Sequence, residues 1–251
     1  MNVGIYKGAS AMAAYERWQQ AVTQNLASAS VNGYRKTDVS FKGLMSGLMR
    51  VRGSDGRSQK EEKGVVPEAQ TSMNMLPGNM VHTGVSTNFA IEGPGFFRVQ
   101  KPDGTIGYTR NGNFRMSNGR TLVTQEGFEV DGGNGQIKFR QEGGTISLNP
   151  QGSLIQGNQI ISKLTVFQFN RPGEMRRIGD GLLAPAEGDA ARPSDKPTLV
   201  QMVVESSNVA PMQEMVSMIN IGRAYEMARK VVDVEDDNLG KAIQGLGATV
   251  S

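Results

Sequence analysis

An α+β fold is predicted for this chain: N- and C-terminal helices paired as a coiled-coil-like element, with a β-rich central domain, a curved sheet or partial barrel, protruding between them. Two observations predict it. Residues 5–30 and 212–246 each carry an apolar stripe at seven-residue spacing, whereas the residues after Ser86 form short alternating runs broken by glycine turns. The corresponding organisation is a helix and a following extended segment over 1–52, a linker over 53–86, a β-rich domain over 87–204 and a second helix over 205–251.

The first stripe runs Ile5, Met12, Gln19, Leu26 and Gly8, Tyr15, Val22, Ala29. Its helix is expected to end near Ser30, with Gly33 as the left-handed terminator. Residues 53–64 hold no apolar side chain, so a loop or a segment without order of its own is expected there. Between Thr71 and Ser86, Met73, Met75, Leu76, Met80 and Val81 surround Pro77-Gly78, which suggests two extended pieces joined by a turn.

Phe96–Val99 and Ile106–Thr109 flank Pro102-Asp103-Gly104, the pattern of a hairpin. Asn111-Gly112 and Asn118-Gly119 then separate Tyr108, Phe114–Met116 and Thr121–Thr124, which makes a meander. Further strands are expected at Phe128–Val130, Ile137–Phe139, Thr145–Leu148, Ser153–Ile155 and Leu164–Phe169. The last helix is expected to start near Asn208, a good N-cap, with Pro211 in its first turn, and to end around Gly245 and Gly247. Its stripes run Met218, Tyr225, Val232, Leu239, Leu246 and Ile221, Ala228, Glu235, Ala242. Gly8, Gln19 and Glu235 break the pattern.

Stripes of similar length at opposite ends of a chain pair most simply with each other or with the same stripes on neighbouring molecules. The expected assembly interface is therefore Ile5, Met12, Tyr15, Val22 and Leu26, with Asn25, Gly33 and Tyr34 at the end of the first helix. On the last helix it comprises Asn208, Met218, Ile221, Tyr225, Ala228, Val232, Leu239 and Leu246.

Composition narrows the function classes. The formal charge of +3, from 27 basic and 24 acidic residues, gives no overwhelming positive field, and no nucleic-acid partner is expected. Residues 1–63 carry a net +5 and residues 212–251 a net −2, so the two ends are complementary in sign. With 32 glycines, 6% aromatic residues and a mean hydropathy of −0.37, the chain is turn-rich. The start, Met1 to Lys7, lacks the apolar core of a secretory signal, and no run approaches a membrane span.

Catalysis has no visible machinery. There is no cysteine, and His82 is the single histidine, so thiolate and multi-histidine metal sites do not arise. Glu92-Gly93-Pro94-Gly95 lacks the Gly-Lys-Ser/Thr ending of a phosphate loop and precedes a strand. Glu126, Glu129 and Asp131 sit beside turns, where solvated placement is the default. No catalytic residue, metal, cofactor or small-molecule substrate is expected. A glycan-binding β-domain would require an exposed aromatic platform, and Phe96, Phe97, Tyr108 and Phe114 alternate with polar residues as core positions do.

Three segments carry a further signal. They are Asn25-Leu26-Ala27-Ser28-Ala29-Ser30-Val31-Asn32-Gly33-Tyr34-Arg35-Lys36; the run from Ala90 to Val99 with Asp103–Thr105, Tyr108–Phe114 and Leu122–Thr124; and Val204–Val209 followed by Met215–Ile219 and Arg223–Met227. Together and in this order they resemble the flagellar rod and hook protein family of bacteria. Ser28 stands where that family usually has Asn, and Val31 where Thr is common. Length favours a rod subunit over the longer hook subunit. Met75 to Gly84 is similar to the run preceding the β-region in the family's proximal rod branch, with the distal rod branch second.

The resemblance implies a structural, non-enzymatic subunit of the flagellar basal body. Its partners would be copies of itself and neighbouring rod subunits, with the flagellar type III apparatus exporting it. It also implies terminal helices forming the inner layers of a helical tube that transmits torque. Terminal segments 1–63 and 205–251 are then expected to be loose in the free subunit and ordered on assembly.

Overall fold

Alternation of large apolar and polar side chains builds the middle of the chain into sheets. The computed structural model describes residues 3–52, 59–133, 135–141, 143–149, 151–194 and 197–247. They fall into two units. Unit 1 comprises Met1–Leu26, Thr37–Ser72 and Pro211–Ser251; unit 2 comprises Ala27–Lys36 and Met73–Ala210.

Unit 1 holds helix α1 (Val3–Ala27) up to Leu26, strands β1 (Thr37–Arg52) and β2 (Gln59–Met73) up to Ser72, which pair as a two-stranded sheet, and helix α2 (Pro211–Gly247). Both terminal helices are thus present. Their contacts run in opposite directions along the two axes. A Cβ on Gly4 would come within 2.6 Å of Glu235 Cδ, and one on Gly8 within 2.4 Å of Val232 Cγ2. Tyr225 donates its hydroxyl to Glu16 at 3.4 Å, and Asn25 Nδ2 donates to Glu214 at 3.2 Å. Two apparent faults in the stripes are therefore matched to the partner helix: Gly8 leaves room for Val232, and Glu235 lies over Gly4.

Three expectations need correction here. Residues 59–64 belong to strand β2, because polar side chains on an extended pair need no core; residues 53–58 of the expected loop lie outside the described residues. Helix α1 stops at Ala27, before Ser30. Asn208 is not the cap of α2, since Pro211 is its first residue and Ala210 precedes it; Pro211 loses nothing there, as its nitrogen would have no intrahelical partner.

Unit 2 is sheet-rich. Strand β3 is Met80–His82 and β4 is Phe89–Glu92. The predicted hairpin is β5 (Phe96–Gln100) and β6 (Ile106–Thr109), in antiparallel register from Phe97↔Thr109 to Gln100↔Ile106. The meander continues as β7 (Arg115–Met116), β8 (Leu122–Val123) and β9 (Glu129–Val130). Strands β10 (Ile146–Leu148), β11 (Ser153–Gln156) and β12 (Gln159–Lys163) make a separate three-stranded sheet. Then come β13 (Val166–Gln168), β14 (Arg176–Arg177), β15 (Leu183–Ala184), β16 (Arg192–Pro193), β17 (Thr198–Gln201) and β18 (Val203–Glu205).

The main sheet has the order β14-β15-β6-β5-β9-β8-β7, with β13 joined to both β5 and β16. It branches at β5 and does not close into a barrel. Strand β5 is buried on both faces: Phe97 and Val99 enter one core with Phe89, Phe114, Leu122, Val130, Leu154 and Leu164, while Phe96 enters a second with Met73, Tyr108, Phe167, Met175 and Leu183. The expected strand at Ile137–Phe139 is a single bridge, Thr121↔Lys138, although both apolar residues are buried.

Candidate assembly interface

The two terminal helices differ in how much of their apolar surface is covered. On α1, Val22 is buried, and Ile5, Met12, Tyr15 and Leu26 are half-buried. Phe41 of β1 stands edge-on to Trp18 at 5.4 Å and to Tyr15 at 6.3 Å. On α2, Ile221 is buried, Met218, Tyr225, Ala228 and Val232 are half-buried, and Leu239 is exposed; the side chain of Leu246 lies outside the described residues.

A second stripe on α2 is open. Met212, Val216, Ile219, Met227, Val231 and Val234 are exposed, Met212 to 76%. At 100° per residue Met212, Val216, Ile219, Met227 and Val234 fall on the side of the helix opposite Ile221, Tyr225 and Val232, with the exposed Arg223 and Lys230 among them and Val231 on the flank, so α2 carries apolar side chains on two faces. Sequence periodicity assigned only one of them, because Arg223 and Lys230 interrupt the other.

Asn25, expected at this interface, is buried and acts as a clamp within unit 1. Its Oδ1 accepts from Thr37 N at 2.8 Å, and its Nδ2 donates to Thr37 O at 2.9 Å as well as to Glu214. Gly33, Tyr34 and Asn208 instead belong to unit 2. Gly33 lies well beyond the end of α1, with φ +69°, and a Cβ there would meet the Arg110 carbonyl carbon at 2.4 Å. It serves a close backbone approach and does not terminate the helix.

Unit 2 buries an ion triad that no local pattern announces. Glu205, with its side chain 0% exposed, sits between two guanidinium groups: Arg35 Nη2 donates to its Oε1 at 2.7 Å and Arg110 Nε to its Oε2 at 2.7 Å. Gly78 N donates to Oε1 at 2.8 Å, while Arg110 also donates to the carbonyls of Gly95 and Ile91, both at 2.7 Å. Burial pushes the Arg35 guanidinium below its ordinary pKa; Glu205 opposes that shift and Arg110 adds to it. Arg35 Nε is buried with no acceptor. Each of the three resembling segments supplies one member, and that coincidence of charges is the sequence signal for the triad.

Chemistry beyond packing is not assembled at the expected alternatives. Phe96, Phe97, Tyr108 and Phe114 are all buried and offer no platform to a glycan. Burial raises the Tyr108 phenol. His82 is exposed on β3. Among the described residues no cluster of three His, Asp or Glu could hold a metal, and no helix is long and apolar enough to cross a membrane.

Comparison with known proteins agrees with the geometry. Residues 90–156 match the family described as flagellar hook protein FlgE/F/G D1 domain, and residues 200–245 match flagellar basal body rod FlgEFG protein C-terminal. The chain is 30% identical to the flagellar basal-body rod protein FlgF of Mesorhizobium japonicum, over 99% of each chain. It is 29% identical to FlgF of Caulobacter vibrioides, over 98% of this chain and 99% of the relative. With FlgG of Buchnera aphidicola subsp. Acyrthosiphon pisum it shares 29% identity over 89% of this chain and 92% of the relative. On its helices, its central sheet and these full-length similarities, the chain belongs to the flagellar basal-body rod protein family.

Proposed function

We propose that this protein is a structural subunit of the bacterial flagellar basal-body rod, of the proximal type, which polymerises through its terminal helices into the shaft that carries torque. Its place is the basal body, its partners are copies of itself and adjoining rod subunits, and its route is the flagellar type III export apparatus. The carrying observation is the doubly apolar helix α2: one face meets α1, and Met212, Val216, Ile219, Met227, Val231 and Val234 remain open on the other. In this reading α1 and α2 form a short coiled-coil-like pair whose free stripe is covered by the helices of neighbouring subunits. Contacts of that head-to-tail kind, repeated by a rotation that does not close, generate an open helical filament.

The pair by itself is lightly filled. The buried apolar residues described in unit 1 are Ala14, Ala21, Val22, Ala69 and Ile221, mostly small. Such a unit has little to offset its ordering entropy until neighbours arrive, which restrains polymerisation of the free subunit. The test is the double substitution Val216→Asp with Ile219→Asp. Monomer stability is expected to change by no more than about 0.5 kcal/mol, while motility and recovery of the subunit in purified basal bodies are lost. Normal swimming by this variant would overturn the proposal.

A further inference from the structure

Four consecutive residues of the N-terminal segment each bond to the same short C-terminal segment inside unit 2. Gly33 N donates to Glu205 O at 2.7 Å, and Asn208 N donates to Tyr34 O at 3.3 Å. Arg35 pairs with the Glu205 carboxylate, and Lys36 N donates to Asn208 Oδ1 at 2.6 Å. The same two C-terminal side chains also hold the chain that enters at Met73. Asn208 Nδ2 donates to Asn74 O at 3.2 Å and to Leu76 O at 2.8 Å, while Glu205 accepts from Gly78 N at 2.8 Å. A Cβ on Gly78 would stand 1.9 Å from Ser206 O, so the two backbones touch directly.

We propose that Glu205–Asn208 is a latch: the C-terminal segment seats Gly33–Lys36 in unit 2, and the N-terminal connection has no fixed place there until the C-terminal one has docked. The physical reason is the charge count. Without the Glu205–Asn208 segment, Arg35 and Arg110 would face each other as buried cations, and the polar edge of residues 33–36 would lose all four bonds, two to Glu205 and two to Asn208; solvated and undocked is then the favoured state for that edge. An incomplete chain, missing its last segment, therefore cannot position its first. Asn208 and Glu205 act as positioning residues for the chain ends, and this role does not rest on rod assembly.

Amide hydrogen exchange on the full-length monomer tests the latch, using Asn208→Ala and Glu205→Gln. Both variants are expected to speed exchange in peptides covering 28–36 and 73–79 by at least about tenfold, with peptides covering 96–100, 121–130 and 164–168 changed less than about twofold, as local opening requires. Asn208→Asp keeps the acceptor for Lys36 N but removes the donors to Asn74 O and Leu76 O. It is expected to restore slow exchange at Lys36 and not at 73–76. Unchanged exchange over 28–36 in both variants overturns the proposal. So does uniform acceleration across the sheet core, or failure of Asn208→Ala to fold, since either makes these residues part of the general core. If Glu205→Gln alone fails to fold, the two Asn208 variants decide.

Discussion

Unit 2 closes on itself and unit 1 does not. In unit 2 the fully buried side chains are large, Phe89, Phe97, Phe114, Leu122, Leu154 and Leu164 among them, and its buried ions are paired. In unit 1 the described buried apolar residues are mostly alanines, and α2 turns an uncovered stripe outward. One chain therefore combines a part whose large apolar side chains are already covered with a part that, in the proposed reading, neighbouring subunits complete. The difference teaches where to look for assembly: at apolar side chains left exposed on a long helix, since side chains of this kind are worth roughly 1.5–3 kcal/mol each once buried.

Glu205→Ala presses hardest on the contrast. It leaves two buried guanidinium groups unpaired and is expected to destabilise unit 2 by about 3–5 kcal/mol in denaturant unfolding. The triple change Arg35→Met, Arg110→Met and Glu205→Leu is expected to recover most of that loss, because apolar groups of similar volume remove the desolvation penalty together with the pairing. If the triple variant were no better than the single one, the triad would matter through bonds to backbone and not through charge.

A smaller effect is expected in unit 1. Gly8→Val places a branched side chain where Val232 already stands, 2.4 Å from the first added carbon. Overpacking of this kind costs about 1–3 kcal/mol, and the loss should appear in the melting of assembled rods while the unfolding midpoint of unit 2 stays put. A lowered midpoint in unit 2 would erase the separation between the units.

The smallest effect is on acid stability. Asp189 accepts from Arg171 N at 2.8 Å and Asn170 N at 3.2 Å, and these amides hold its carboxyl below the usual range. A folded pKa below the unfolded one stabilises above the unfolded value, near 3.9, and that contribution fades as pH falls through the lower folded value. Asp189→Asn should therefore lower the stability of unit 2 slightly at neutral pH and flatten the acid limb of its unfolding curve, the variant and the parent converging as pH falls.

Local chemistry made much of this fold legible. Pro102-Asp103-Gly104 announces the β5–β6 hairpin because few other sequences turn so tightly, and both helical stripes are visible because their period is long and regular. The strands β14, β15 and β16 escaped notice because two residues carry no period. Gly33 and Asn208 were legible as special but not in their roles. A glycine after a helix and an asparagine before one suggest caps, whereas a backbone approach to Arg110 and bonds to Lys36, Asn74 and Leu76 are set by partners far along the chain. The candidate site divides the same way: the seven-residue spacing marks the face of α2 that meets α1, whereas the exposed apolar residues of the opposite side are interrupted by Arg223 and Lys230 and keep no such spacing along the helix.

Strand β5 has a consequence for the chain before it folds. Phe96-Phe97-Arg98-Val99 is a short β-prone run whose edges, when free, can pair with another chain. In the native molecule β6 occupies one edge, while β9 and β13 divide the other between them, so neither is open to another strand. The last of those guards arrives only at Val166. A partly emerged polypeptide consequently bares its stickiest stretch for as long as the following strands are still to come.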